Sequence, residues 1–239
     1  MESSRLTSIL AQWADKMRID LAPESLHAFE LYYDYLAKHR QYMNLTAITG
    51  VEDTVRLHFL DSLALFRCAV FKGLKVIDVG SGAGFPGIPL KIAEPSIDVS
   101  LLDATGKRVK FLTGLCDILS IQGRFIHARA EDAAHEQDMR EAYDCAVSRA
   151  VADLGVLCEL CLPFVRVGGM FIAMKSVNSD DEVAQANNAI TSLGGKLELN
   201  FDYTFPGTDI THRAIIIRKT SQTSTDYPRR FAKIQNSPL

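Results

Sequence analysis

No stretch of this 239-residue chain approaches the roughly 18 to 20 apolar residues a membrane-spanning helix needs, and Met1-Glu-Ser-Ser-Arg-Leu6 has no basic flank leading into an apolar core. A cytoplasmic protein with no membrane partner is expected. Cysteine is scarce and odd in number: Cys68, Cys116, Cys145, Cys158 and Cys161 are scattered through apolar surroundings, which argues against a disulfide framework. Cys158-Glu-Leu-Cys161 has C-x-x-C spacing, but no second pair stands at zinc-ligand distance and no thioredoxin-like context surrounds it. With Leu154, Leu157 and Leu160 in the same segment it reads as the core face of a helix, and no metal is expected. Neither sign of charge dominates, with 26 Lys and Arg against 29 Asp and Glu, so a surface that is basic all over is excluded while local cation clusters are not. Repeats and low-complexity segments are absent.

What is present suits one α/β domain with an appended element: 47% hydrophobic and 23% charged residues over this length fill a sizeable core. Two amphipathic helices are expected within residues 5–40, around Leu6, Ile9, Leu10 and Trp13, then around Leu26, Phe29, Tyr33 and Leu36 with Pro23 opening the second. A third runs from Glu52 to about Phe71. From residue 74 strands alternate with helices: strands at 74–79, 97–102, 124–127, 144–148 and 169–175, helices at 86–93, 106–119 and 153–162, and a short one after 127. A polar helix over 180–193 precedes two apolar-alternating runs, 197–205 and 214–218, that read as an antiparallel hairpin. The pattern is a Rossmann-like doubly wound sheet closed by a reversed strand, as in class I S-adenosylmethionine-dependent methyltransferases. Residues 1–72 form a helical element packed on a 73–220 core, residues 221–239 a polar tail over the surface, and the whole is expected to act as a single domain and a monomer.

The densest information lies in Lys75-Val-Ile-Asp-Val-Gly-Ser-Gly-Ala-Gly-Phe-Pro-Gly87 and the apolar run that ends on Asp103. A strand feeding Gly80, Gly82 and Gly84 and then a helix is the order a nucleotide-type cofactor loop requires, because the sharp turn needs positive φ and a close ligand excludes Cβ. Asp103, one βαβ unit on, ends its strand at the same edge, where its carboxylate can accept bonds from two ribose hydroxyls. Gly82-Ala-Gly84-Phe-Pro-Gly87 also satisfies the G-x-G-x-x-G spacing of dinucleotide sites. The sign of Asp78 favours S-adenosylmethionine, since a carboxylate at the strand end repels a pyrophosphate and suits an ammonium or sulfonium. Three strands end in charge: Asp78, Arg149 and Lys175. His58 and Asp61, one helical turn apart, read as a structural pair.

These residues carry a resemblance that runs over almost the whole chain. Asn44-Leu-Thr46, His58-Phe-Leu-Asp-Ser-Leu63, Asp78-Val-Gly-Ser-Gly-Ala-Gly-Phe-Pro-Gly-Ile-Pro89, Leu102-Asp-Ala-Thr-Gly-Lys-Arg108, Ser148-Arg-Ala150 and Tyr227-Pro-Arg-Arg230 resemble the bacterial ribosomal small subunit methyltransferase G family, also called glucose-inhibited division protein B. The resemblance implies methylation of a guanine N7 in 16S ribosomal RNA (guanine 527 in the standard rRNA numbering), within the 30S particle, with S-adenosylhomocysteine as the product. It implies cofactor contacts at Gly80, Phe85, Asp103, the pair Ala130-Glu131 and Arg149, to which the loop adds Asp78 and Gly82. The tail departs from the family pattern, with Phe231-Ala-Lys-Ile-Gln-Asn236 where proline, glycine and more basic residues are usual.

Guanine N7 carries an unprotonated lone pair at neutral pH, so methyl transfer to it needs no general base. No such residue is assigned; Arg149, Lys175 and His58 remain candidates for a catalytic part. No Asn/Asp-Pro-Pro-aromatic motif for exocyclic amines is present, nor a Pro-Cys nucleophile for carbon methylation. RNA contact is expected from Arg213, Arg229, Arg230 and Lys233, from Lys107, Arg108 and Lys110, and by stacking on Tyr42 and Tyr227. A small-molecule methyltransferase and a catalytically silent, cofactor-binding ribosome assembly factor stay open as alternatives, with a nicotinamide oxidoreductase third.

Overall fold

The computed structural model describes residues 2–43, 45–46, 48–149 and 152–239; Asn44 and Ala150 of the motifs above, with Ala47 and Val151, lie outside the described residues. Helices α1 (Glu2–Lys16) and α2 (Pro23–Met43) come first. A helical rod follows, built from α3 (Val51–Thr54), a π-helical stretch (Val55–Leu60), α4 (Asp61–Leu63) and a 3-10 turn (Ala64–Arg67). The third helix expected from the sequence is therefore interrupted. Asp61 N–H reaches back five residues to the Arg56 carbonyl, and the Leu57 carbonyl loses its ordinary helical partner.

The alternating region is β1 (Lys75–Val79), α5 (Gly87–Ala93), β2 (Asp98–Asp103), α6 (Gly106–Leu119), β3 (Arg124–His127), α7 (Ala130–Ala133), β4 (Tyr143–Arg149), α8 (Leu154–Cys161) and β5 (Val165–Ser176). The expected polar helix is two, α9 (Asp180–Gln185) and α10 (Asn187–Ser192), before β6 (Gly195–Thr204), β7 (Thr211–Lys219) and α11 (Phe231–Asn236). The seven strands lie in the order β3-β2-β1-β4-β5-β7-β6, and β7 alone runs against the others. Order reverses between β1 and β4, which opens a crevice at their carboxyl ends.

Alternate strand residues face opposite layers. Val76, Leu101, Val147 and Ile172 pack under α1, α2, the rod, α5 and α6, while Ile77, Leu102, Ala146 and Phe171 pack under α8, α10 and α11. Phe29, Tyr32 and Phe59 are fully buried in the first layer, so the N-terminal helices share the sheet's core. Each such side chain contributes on the order of 1.5–3 kcal/mol.

The C-terminal segment is not simply a polar covering. Ile234 is fully buried, and Arg140 donates to the carbonyls of Thr223, Ser224 and Tyr227. No helix among the described residues is long and apolar enough to cross a membrane.

Candidate functional site

Two cavities of about 480 Å³ each adjoin above the sheet and share His58 and Arg149. The first is lined by Gly80, Gly82, Phe85, Asp103, Arg108 and Arg129 among others, the second by Leu57, Asp61, Met174, Lys175, Glu182 and His212. Both fall in the size range of small-ligand sites. A third cavity, of about 510 Å³, lies at the opposite sheet edge against Leu74, Asp144 and Arg218 and holds none of the loop residues.

The glycine loop is locked from three sides. Gly80 and Ser81 N–H donate to Leu102 O at 2.9 and 3.0 Å, Gly82 N–H donates to Asp103 Oδ2 at 3.0 Å, and Tyr32 of α2 donates its hydroxyl to Ala83 O at 2.5 Å. Gly84, at φ 103°, lies so close to Tyr32 that a Cβ there would meet the hydroxyl at 2.7 Å and Ile88 Cγ1 at 2.8 Å. Gly82 differs. Its φ is 57° and a Cβ would meet nothing nearer than Gly80 O at 3.9 Å, so a side chain there would stand in the first cavity. An open glycine facing a carboxylate is a cradle that fits a ribose-bearing cofactor.

Asp103 is 3% exposed. Its Oδ1 accepts from Thr105 N–H at 2.8 Å, and its Oδ2 accepts from Gly82 N–H and, at 3.4 Å, from Arg108. It therefore clamps the loop to the start of α6. The pair Ala130-Glu131 opens α7, and neither residue lines the first cavity; Arg129, just before them, does.

Asp78 corrects the sequence reading. It lines neither cavity but is fully buried beneath the loop, where Oδ2 accepts Gly87 N–H at 2.9 Å at the start of α5. Its Oδ1 has no hydrogen-bond partner among the described residues. Burial pushes its carboxyl up to about 7, against the pull of the Gly87 bond and the Arg149 charge.

Arg149, at the end of β4, is the hub of the wall between the cavities. Ser148 beside it donates its hydroxyl to Val79 O at 2.8 Å and ties β4 to β1. The guanidinium donates to Leu57 O at 2.9 Å, Asp61 Oδ2 at 3.0 Å and His58 Nδ1 at 3.1 Å, and lies 4.8 Å above the Phe85 ring. The π-helical turn explains the first contact, since it is what displaces the Leu57 carbonyl from the helix ladder. Phe85 is stacked in turn on Tyr32 (5.2 Å) and His58 (4.5 Å).

His58 and Asp61 accordingly do not form the direct pair expected; each binds Arg149. A guanidinium only donates, so its contact takes the Nδ1 lone pair of His58, and Nε2 carries the proton toward Thr46 Oγ1 at 2.8 Å; the Leu57 carbonyl, 3.0 Å from the same Nδ1, accepts from Arg149 instead. Burial, helped by the Arg149 charge, lowers this imidazole to about 4, and it is neutral at pH 7. Asp61 also accepts from Tyr203 at 2.7 Å and from His212 Nδ1 at 2.8 Å. Burial opposes its ionisation, but the His212 bond, the Arg149 charge and the Tyr203 bond together hold the carboxyl below its usual range.

Lys175 lines the second cavity, where its ammonium donates to Ala152 O at 2.8 Å and pairs with Glu182 Oε1 at 2.5 Å. Two of the expected RNA contacts are corrected. Arg213 is 7% exposed and held between Asp202 and Asp180, and Arg229 is spent on the fully buried carboxylate of Glu159, at 2.7 and 2.8 Å. Arg230, Lys233, Lys107 and Lys110 are exposed.

Sequence reasoning missed Tyr32 as the loop's support, Tyr203 and His212 as partners of Asp61, and Glu182 and Arg129 as cavity residues. Tyr203 lies 142 residues and His212 151 residues from Asp61, and no local pattern signals such contacts.

A family model described as rRNA small subunit methyltransferase G matches residues 25–203. The chain is 44% identical over 236 residues to Ribosomal RNA small subunit methyltransferase G of Acetivibrio thermocellus, covering 98% of this chain and 97% of that protein. It is also 44% identical to the protein of the same name from Alkaliphilus oremlandii, covering 98% and 99%. Among solved structures it resembles TrmN from Thermus thermophilus, with a TM-score of 0.51 at 17% identity over 78% of this chain and 52% of that one, a likeness of fold.

Proposed function

The chain belongs to the rRNA small subunit methyltransferase G family, and on that premise we propose that it transfers a methyl group from S-adenosylmethionine to N7 of a guanine in 16S ribosomal RNA, releasing S-adenosylhomocysteine. The observation that carries this reading is the pair of adjoining cavities with Arg149 and His58 between them, one built on the glycine loop and the other on polar side chains. When bound, S-adenosylmethionine supplies an electrophilic methyl on a positively charged sulfur.

Gly80, Gly82 and Phe85 would hold the cofactor from the loop side, Asp103 would meet its ribose, and Arg129, with the Ala130-Glu131 turn behind it, would flank its base. Guanine N7 offers its lone pair without losing a proton, so the chain's work is alignment, which can supply several kcal/mol of barrier reduction. The side chains nearest the wall agree with that division of labour. The His58 lone pair is spent on Arg149, and both Asp61 oxygens are occupied by donors, so neither is a base in waiting. A guanidinium beside a sulfonium would be repulsive on its own; the Asp61 carboxylate at 3.0 Å offsets it.

We also propose that residues 1–72, 73–220 and 221–239 act as one unit and as a single chain, because Tyr32 bonds the glycine loop and Arg229 bonds α8. The substrate is 16S RNA assembled in the 30S particle, in the cytoplasm, and Arg230, Lys233, Lys107 and Lys110 are the exposed cations available to its phosphates.

The test is transfer of labelled methyl to 30S particles lacking the modification and, in parallel, to naked 16S RNA, with mass mapping of the product. Label on one guanine N7 of the particle is expected. Label elsewhere, or on a small molecule alone, would refute the reading, and equal rates on naked RNA would remove the particle from it.

A further inference from the structure

The second cavity presents an unusual pairing of groups. Lys175 Nζ and Glu182 Oε1 lie 2.5 Å apart on its wall, so a cationic donor stands directly beside an anionic acceptor. The pair is rigidly seated: Lys175 donates to Ala152 O, and Glu182 Oε1 also accepts Leu154 N–H at the start of α8. Among the described residues nothing donates to Glu182 Oε2, and Lys175 has a third N–H beyond its two recorded bonds. The other carboxylate of the cavity, Asp61, is saturated by Arg149, Tyr203 and His212.

Resting on the guanine reading above, we propose that Lys175 and Glu182 are the specificity-determining pair that reads the acceptor base in this cavity. Guanine presents O6, an acceptor, next to N1–H, a donor; Lys175 meets O6 and the open Oε2 of Glu182 meets N1–H. Adenine presents the reverse, a donor N6–H₂ next to the N1 lone pair, and would set donor against ammonium and lone pair against carboxylate. A site built for one hydrogen-bond pattern rejects the reversed one strongly, because the buried groups are left unpaired. The order of atoms along the base supports the placement: N7 adjoins O6, so a guanine gripped through O6 and N1 by this pair has N7 on the side away from Glu182. The base must leave its stack to enter, as in other enzymes acting on single nucleotides.

Glu182 has a second effect. As the methyl carbon bonds to N7, its bond to sulfur breaks, and positive charge passes from sulfur to the purine. N1–H becomes a stronger donor, so the carboxylate helps the transition state more than the ground state.

The experiment uses full-length Glu182→Gln and Lys175→Gln with 30S particles carrying guanine or adenine at the target position. In Glu182→Gln the amide oxygen still accepts Leu154 N–H while its NH₂ opposes guanine N1–H. Expected are cofactor affinity by calorimetry within threefold of wild type, kcat/KM on guanine particles down on the order of ten- to hundredfold with kcat as well as KM affected, and a narrowed preference for guanine over adenine. Lys175→Gln should narrow the preference in the same sense. Wild-type kcat/KM and preference in both variants would overturn the proposal, as would loss of cofactor affinity in parallel with activity, which marks the pair as a support of the fold. A wild-type enzyme that methylates neither particle would overturn the guanine reading itself, and the base pocket with it.

Discussion

Arg149 Nη1 and Asp61 Oδ2 meet at 3.0 Å across 88 residues of sequence, one at the end of β4 and the other on the helical rod before the sheet. Both side chains are largely buried, at 15% and 3% exposure, so the pair fixes the rod to the sheet at the wall between the two cavities.

Removing one charge of that pair should be costly. Asp61→Asn leaves the guanidinium without its counter-charge and is expected to destabilise the fold by about 3–5 kcal/mol, with methyl transfer falling in step. Denaturant titration measures the first and labelled transfer the second; a stable and active variant would contradict the assigned role.

The Tyr32 contact predicts that an N-terminal helix governs a loop more than fifty residues away in sequence. Gly84→Ala places Cβ against the Tyr32 hydroxyl and Ile88 and is expected to cost about 1–3 kcal/mol. Tyr32→Phe removes the donor to Ala83 O and should cost about 1–3 kcal/mol while weakening S-adenosylmethionine binding. Calorimetric titration with the cofactor tests whether both lower affinity together.

Asp78 predicts a pH effect with a definite sign. Its carboxyl is raised by burial from the ordinary carboxylate range to about 7, so the folded chain keeps a proton that the unfolded chain releases. The contribution is fully present below about pH 4 and is lost as pH rises through about 7. Asp78→Asn keeps a carbonyl for Gly87 N–H and cannot ionise, so its Tm relative to wild type should climb between about pH 5 and pH 8. A constant Tm difference would refute the assignment.

His58 carries the opposite sign. Its imidazole is lowered to about 4, chiefly by burial, so its contribution is present above its ordinary value near 6.5 and is lost as pH falls through 4. Nitrogen chemical shifts should show a neutral ring with the proton on Nε2 from about pH 5.5 to 8; a proton on Nδ1 would show that Arg149 does not hold that nitrogen, and a titration near 6.5 would contradict the burial of the ring.

The tail separates structural from exposed cations. Arg229→Ala strands the Glu159 carboxylate and should cost about 3–5 kcal/mol, whereas Arg230→Ala and Lys233→Ala should leave Tm nearly unchanged. If each exposed cation meets a phosphate, each of those two changes lowers the slope of log affinity for the particle against log salt by about one. An unchanged slope would remove the tail from the interface.

Much of the site was legible because it is local. The glycine loop, the 106–119 helix and Asp103 follow from strand, turn and helix chemistry within one βαβ unit, and the structure returns them almost residue for residue. Arg213 and Arg229 looked like surface cations because nothing in their own segments shows Asp180 or Glu159 converging on them. The break at 55–60 carries no glycine or proline to announce it.

The order of strands and helices, the glycine loop and the family were therefore written in the sequence, since each depends on neighbours a few residues apart or on motif spacing. The charge state of Asp78, the Arg149 hub, the Tyr32 support and the Lys175–Glu182 wall were decided only by the tertiary structure. Each is set by burial or by a hydrogen bond between residues that chain folding alone brings together, and neither leaves a mark in local pattern.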